Sequence, residues 1–130
     1  RGVLDGLDLT HDGASVRRAA YEASGFVVRQ LVERSGAPAS RIVATGGGTR
    51  VAAWMHALAD ATGLPVHLSA IPEGAALGAA FLGRMAAGLE SSLTDAARWA
   101  RTAQVVEPDP QWTAPTQDRY DRFLELAERT

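Results

Sequence analysis

The 130-residue chain has no cysteine, so disulfides, zinc–thiolate sites, iron–sulfur clusters and thiol nucleophiles are excluded together. That absence fits a reducing compartment, and a cytoplasmic location is expected. Neither sign of charge is in surplus. Thirteen basic against fifteen acidic side chains give a formal charge of -2 and a pI near 5.9, which leaves no overall footprint for wrapping nucleic acid or anionic lipid. Long hydrophobic runs are missing as well. The most apolar stretch, GAALGAAFLG from Gly74 to Gly83, is followed at once by Arg84 and falls far short of the roughly 20 residues that a bilayer crossing requires. Neither nucleic acid nor membrane is expected as a partner. The opening RGVLDGLDL has no initiator Met and no signal-peptide pattern, so a piece of a longer polypeptide is expected. No Ser/His/Asp constellation with elbow spacing occurs, which gives a hydrolase no foothold.

What remains is the composition of a folded protein, with 46% hydrophobic and 22% charged residues. The length suits one domain, or a piece of one, that buries roughly two thirds of its unfolded surface. From Asp12, a suitable N-cap, the sequence takes helical period: Val16, Ala20, Ala23, Val27 and Leu31 form one stripe, and SGAP at Ser35 to Pro38 ends it. RIVATGGGTR follows, in which Ile42, Val43 and Ala44 read as a short buried strand entering a glycine loop. A second helix is expected to carry Val51, Trp54, Met55 and Leu58 on one face and to stop at Gly63. LPVHLSA, from Leu64 to Ala70, supplies another strand, and a strand–helix–strand unit predicts parallel pairing through a crossover.

After Pro72 and Glu73 comes an alanine-rich third helix reaching Gly88, in which Gly74 and Gly78 share a face that lets a neighbouring backbone approach closely. A short helix from about Leu93 to Arg101, capped by Ser92, leads into VVEPDPQWTAP, a proline-bearing connector. The last helix places Tyr120, Phe123, Leu124 and Ala127 on an apolar stripe.

The junction Gly46-Gly47-Gly48 sets side-chain-free amides beside the positive end of a helix, where an anionic ligand is favoured. The dinucleotide pattern G-x-G-x-x-G fails because Val51 stands where the third glycine belongs, and the phosphate loop fails for want of its Gly-Lys-Ser/Thr ending. On its own the junction reads equally well as a ligand site or as a tight structural turn.

The run TGGGTRVAAWMHALADATGLPV from Thr45 to Val66, followed by EGAALGAAFLGRMAAG from Glu73 to Gly88, resembles the adenosine-binding segment of the FGGY carbohydrate kinases, most nearly their xylulokinase-like members. The upstream RGVLDGLDLTHDGASVRRAAYEASGFVVRQL and the downstream EPDPQWTAPTQDRYDRFLEL are similar to the corresponding stretches, in family order. The resemblance implies an α/β, actin-like (ribonuclease H-like) ATPase fold. Residues 1–130 would be the C-terminal nucleotide-binding part of a two-domain kinase, a partial domain of short parallel strands flanked by helices.

It also implies ATP and a small sugar such as xylulose as the parent's ligands, with Mg2+ held mainly by parts outside this chain. Gly46, Gly47, Gly48, Thr49 and Val51 are the positions carried over as contacts to the adenosine end. Many relatives have Ser or Asn where this chain has Val51, so contact there would be through backbone and van der Waals surface. The family's first phosphate loop, its carboxylate base and most sugar contacts precede the segment present here. No catalytic residue is therefore assigned, and the piece alone is expected not to phosphorylate anything. A non-catalytic nucleotide-binding module on the same fold is the alternative, and an unrelated dinucleotide-binding domain a weaker one.

Other residues read as structural. Asp5, Asp8, His11 and Asp12 match neither a calcium loop nor a zinc motif and predict a polar turn. His56 and His67 read as ordinary histidines, Glu73 as a partner of a helix dipole, and Trp54 as core rather than as an adenine platform. Trp99, Trp112, Tyr120 and Phe123 are expected to dock the C-terminal helices. If strands preceding Arg1 pair beside RIVAT, the isolated piece exposes a sheet edge and apolar helix faces, and self-association is expected.

Overall fold

The computed structural model of the protein describes residues 2–129. Helix α1 spans Gly13–Ser35. The Asp12 carboxylate accepts from the Ser15 amide at its start, and Gly36 closes it in the left-handed conformation at φ 63°. Strand β1, Ile42–Ala44, leads through a 3₁₀ turn, Gly47–Arg50, into α2, Ala52–Thr62, which Gly63 ends at φ 66°. Strand β2, Val66–Ser69, then pairs parallel to β1 with Ile42 opposite Val66. Helix α3 spans Gly74–Ala86, and a 3₁₀ segment, Leu93–Arg98, stands where a short α-helix was expected. Its capping box is reciprocal: Ser92 accepts from the turn, and the Asp95 carboxylate accepts from the Ser92 amide.

The stretch Thr102–Val106 is a third strand, β3, antiparallel to β2, with Val66 opposite Val106. Val105 and Val106 therefore belong to the sheet and not to a connector. The sheet order is β1-β2-β3, so among the described residues β1 is an edge. Helix α4, Thr113–Glu128, ends the fold.

Alternation along the strands sends Ile42, Ala44, Val66 and Leu68 to one face, where they pack with Met55 and Leu58 of α2 and Val28 of α1. Val43, Thr45 and Ser69 look the other way, into an apolar cavity of about 280 Å³ closed by Leu77, Phe81 and Trp99. Trp99 meets Phe81 edge-on at 5.3 Å, so it docks the 3₁₀ segment onto α3. A second cluster joins α1, α2 and α4 through Phe26, Ala61 and Tyr120, with Phe123 and Leu124 against it.

The stripe expected to bury α1 does not do so. Val27 is 47% and Leu31 63% exposed, and Ala20 and Ala23 face outward, while Glu22, Gly25 and Phe26 are the buried residues. Gly25 decides the packing: a Cβ there would come within 2.6 Å of the Ala61 Cβ, so α1 and α2 approach along their small residues and not along the valine–leucine row. Glu22 is buried because it is paired. Arg119 reaches it with two nitrogens at 2.6 and 2.7 Å, Arg18 adds a third bond, and Arg18 also holds Asp60 at 2.7 Å. The guanidinium groups of those two arginines also lie 4.8 and 5.6 Å from the centre of the Trp112 ring.

Candidate functional site

Strand β1 carries the chain to the carboxyl edge of the parallel pair. Gly46 then adopts φ 95°, ψ 180°, a region essentially confined to glycine. The bend turns the strand directly into the 3₁₀ turn. Thr49 closes that turn, donating to the Gly46 carbonyl through its amide at 3.2 Å and its hydroxyl at 2.7 Å. The Gly46 amide donates to the Pro72 carbonyl at 2.8 Å, and the Thr45 hydroxyl to the same oxygen at 2.9 Å. The loop after β1 is thereby tied to the loop after β2. Gly74 allows the tie, because a Cβ there would lie 2.7 Å from the Thr45 Oγ1. Helices α2 and α3 both begin at this edge, where ligands of parallel α/β sheets bind.

The three glycines face different surroundings. Nothing lies within 4 Å of a Cβ built on Gly46 or Gly47, whereas one on Gly48 would come within 2.8 Å of the Trp54 ring. The first two thus present open backbone, and the third rests on an indole. Val51 leaves the turn with extended backbone and stands before α2 as its cap, 37% exposed and making no side-chain bond. The expectation that Val51 shares the buried face of the helix with Trp54, Met55 and Leu58 is thus corrected: it precedes the helix, and its side chain has no acceptor to offer the first N–H groups of α2. Between Ile42 and Leu58 there is no acidic residue, and Arg50 is the one arginine or lysine. This stretch adds no negative charge to the edge, whereas Glu73, next to Pro72, brings one close to it.

Gly46, Gly47, Gly48, Thr49 and Val51 therefore form one continuous edge. Sequence reasoning missed the partners that shape it, namely the Pro72 carbonyl and, on α1, Tyr21 and Ser24. Those two support Trp54 beside a cavity of about 250 Å³ that Val28, Gly48, Thr49 and Met55 also line. Trp54 is half-buried against the main core, where the reading as core placed it.

The remaining candidates disperse. Asp8 accepts from both the amide and the hydroxyl of Thr10, holding a turn before α1, and these bonds, the hydroxyl's first, keep its carboxyl below the usual range. Asp12 caps α1, and Asp5 pairs with Arg122. Among the described residues no three His, Asp or Glu side chains gather where a metal ion could be held. Glu73 precedes α3 and is exposed, without a side-chain bond to the helix. His67 Nδ1 lies 3.3 Å from the Thr102 hydroxyl, and His56 is exposed. Gly78, unlike Gly74, has no neighbour within 4 Å of a Cβ, so only one of the two glycines serves a close approach.

Residues 1–87 match the profile of the FGGY family of carbohydrate kinases, C-terminal domain. The autoinducer-2 kinase of Escherichia coli (strain K12) is 33% identical over 118 residues, which are 85% of this chain and 22% of that protein. The autoinducer-2 kinase of Yersinia enterocolitica serotype O:8 / biotype 1B is 35% identical over 99 residues, 70% of this chain and 19% of its own. Among solved structures, xylulose kinase from Rhodospirillum rubrum aligns with a TM-score of 0.78 at 32% identity, over 95% of this chain and 26% of that one. Gluconate kinase from Lactobacillus acidophilus aligns with a TM-score of 0.85 at 24% identity, over 99% and 27%. The chain thus spans about a fifth of the length of the curated relatives it matches. Its α/β arrangement is that of the actin-like ATPase fold of such kinases.

Proposed function

Because this chain belongs to the FGGY family of carbohydrate kinases, we propose that it is the nucleotide-contacting C-terminal portion of an ATP-dependent kinase. The complete polypeptide would transfer a phosphoryl group to a hydroxyl of a small sugar or polyol such as xylulose. The observation that carries the reading is the open space over Gly46 and Gly47, where nothing lies within 4 Å of a built Cβ, beside the start of α2.

That edge fits the adenosine end of ATP. Glycine backbone admits close approach, Thr49 keeps the turn closed, and Val51 offers apolar surface without a hydrogen bond. ATP supplies the group to be transferred; this chain's part is to bind and orient. The described residues offer no cluster that fits Mg2+, so no step is assigned to the ion here. Nor is any proton-abstracting carboxylate assigned, and the 130 residues alone are proposed to be inactive. Closure of the parent around its ligands would keep water from the reacting phosphoryl group.

The acceptor is open between the chemistries in the relatives' names, because the sugar-reading contacts are proposed to lie elsewhere in the parent. Assaying the complete polypeptide with ATP and a panel of ketoses, polyols, gluconate and autoinducer-2 tests the proposal. Acceptor-dependent ADP release with at least one member is expected. Silence across the panel rejects the kinase reading.

A further inference from the structure

The ring beneath the glycine loop is held by α1. Trp54 Nε1 donates to the Ser24 Oγ at 2.7 Å, and that hydroxyl in turn donates to the Tyr21 carbonyl at 2.6 Å. Tyr21 stacks on the indole, with centroids 5.7 Å apart and planes 14° from parallel. The three heavy atoms nearest to a Cβ built on Gly48 all belong to the same ring. The start of the loop has its own restraints, through Thr49 and the Pro72 carbonyl. Its middle rests on the indole.

We infer that the Ser24–Trp54 hydrogen bond is a positioning device that sets the height of the loop, so that α1 governs nucleotide affinity without touching the nucleotide. This rests on the reading of the loop given above. A ring freed from Ser24 can turn, and Gly48 moves with the surface it rests on. Amides aimed at a ligand lose strength steeply as distance and angle drift from their optimum. Ser24 and Trp54 are positioning residues, so their signature belongs in the affinity for ATP and not in the chemical step.

The test uses the complete polypeptide, with ATP varied at saturating acceptor. Trp54→Phe keeps an aromatic ring but lacks the N–H, and Ser24→Ala removes the acceptor. Each is expected to raise KM for ATP roughly three- to tenfold, as losing one half-buried hydrogen bond would, with kcat and the acceptor KM nearly unmoved. The double variant should be no worse than the worse single one, since one bond is broken only once. Ser24→Thr, which retains a hydroxyl, should restore the ATP KM. Gly46→Ala is the separate arm for the nucleotide reading. If it raises the ATP KM while Ser24→Ala and Trp54→Phe do not, the positioning inference is overturned and the loop's role stands. If Gly46→Ala also leaves it unchanged, the loop is no nucleotide contact and both fall. A loss of kcat and of both KM values in step with the melting temperature would make the pair merely structural and overturn the inference.

Discussion

Tyr120 lies buried beneath α1, its hydroxyl donating to the Glu33 carboxylate at 2.6 Å and its ring under the Arg29 guanidinium at 4.0 Å. Burial first, and then the bond to Glu33, push the phenol up to about 12. The same hydroxyl is the leading cause that holds Glu33 below the usual carboxylate range. The two shifts act at opposite ends of the pH scale. For Tyr120 the unfolded chain ionises first, near 10, so its contribution is whole below that pH and is lost as pH rises towards 12. For Glu33 the contribution is present above the ordinary carboxylate range and is lost as pH falls through the lowered value. Tyr120→Phe should therefore flatten the alkaline decline. The unfolding free energies of both forms, from urea titrations between about pH 9 and 12, should converge as pH rises, by on the order of 2 kcal/mol; parallel curves would show that the phenol is not the titrating group.

At the scale of elements, two glycines predict opposite outcomes for one substitution. Gly25→Ala places a methyl 2.6 Å from the Ala61 Cβ and must part α1 from α2, at a cost of about 1–3 kcal/mol. Gly78→Ala meets open space inside α3 and should stabilise by about 0.5–1 kcal/mol through backbone entropy alone. Urea unfolding of the two variants checks both signs. The strand, glycine loop and helix from Ile42 to Thr62 were legible in the sequence because β-branched residues, glycines and a four-residue apolar spacing follow one another without overlap.

The buried face of α1 was not legible. Its valine–leucine row is the more hydrophobic one, but the face that packs is the one whose glycine admits Ala61, and only the partner helix reveals that. Strand β3 was missed because four of its five residues are exposed and a proline-rich stretch follows at once. At the site, the glycines were visible in sequence while their support was not, since Ser24 stands thirty residues before Trp54.

At the scale of the whole molecule, the apolar row left outside α1 and the edge of β1 set the behaviour of this chain on its own. Val43 on that edge strand is 62% exposed, and β1 pairs only with β2 among the described residues. An open strand edge beside apolar surface is a template for another chain. The 130-residue chain should therefore sediment as concentration-dependent oligomers. Replacing Val27 and Leu31 together with lysine should shift the population towards monomer while changing stability by no more than about 0.5 kcal/mol per site. A monomer at every concentration would remove the basis for this expectation.

Pro72 supplies one oxygen to two donors, the Gly46 amide and the Thr45 hydroxyl. Two stretches of chain nearly thirty residues apart are thus pinned at a common pivot. A displacement imposed on either loop would strain both bonds at that pivot, which ties the entrance of α3 to the approach to α2.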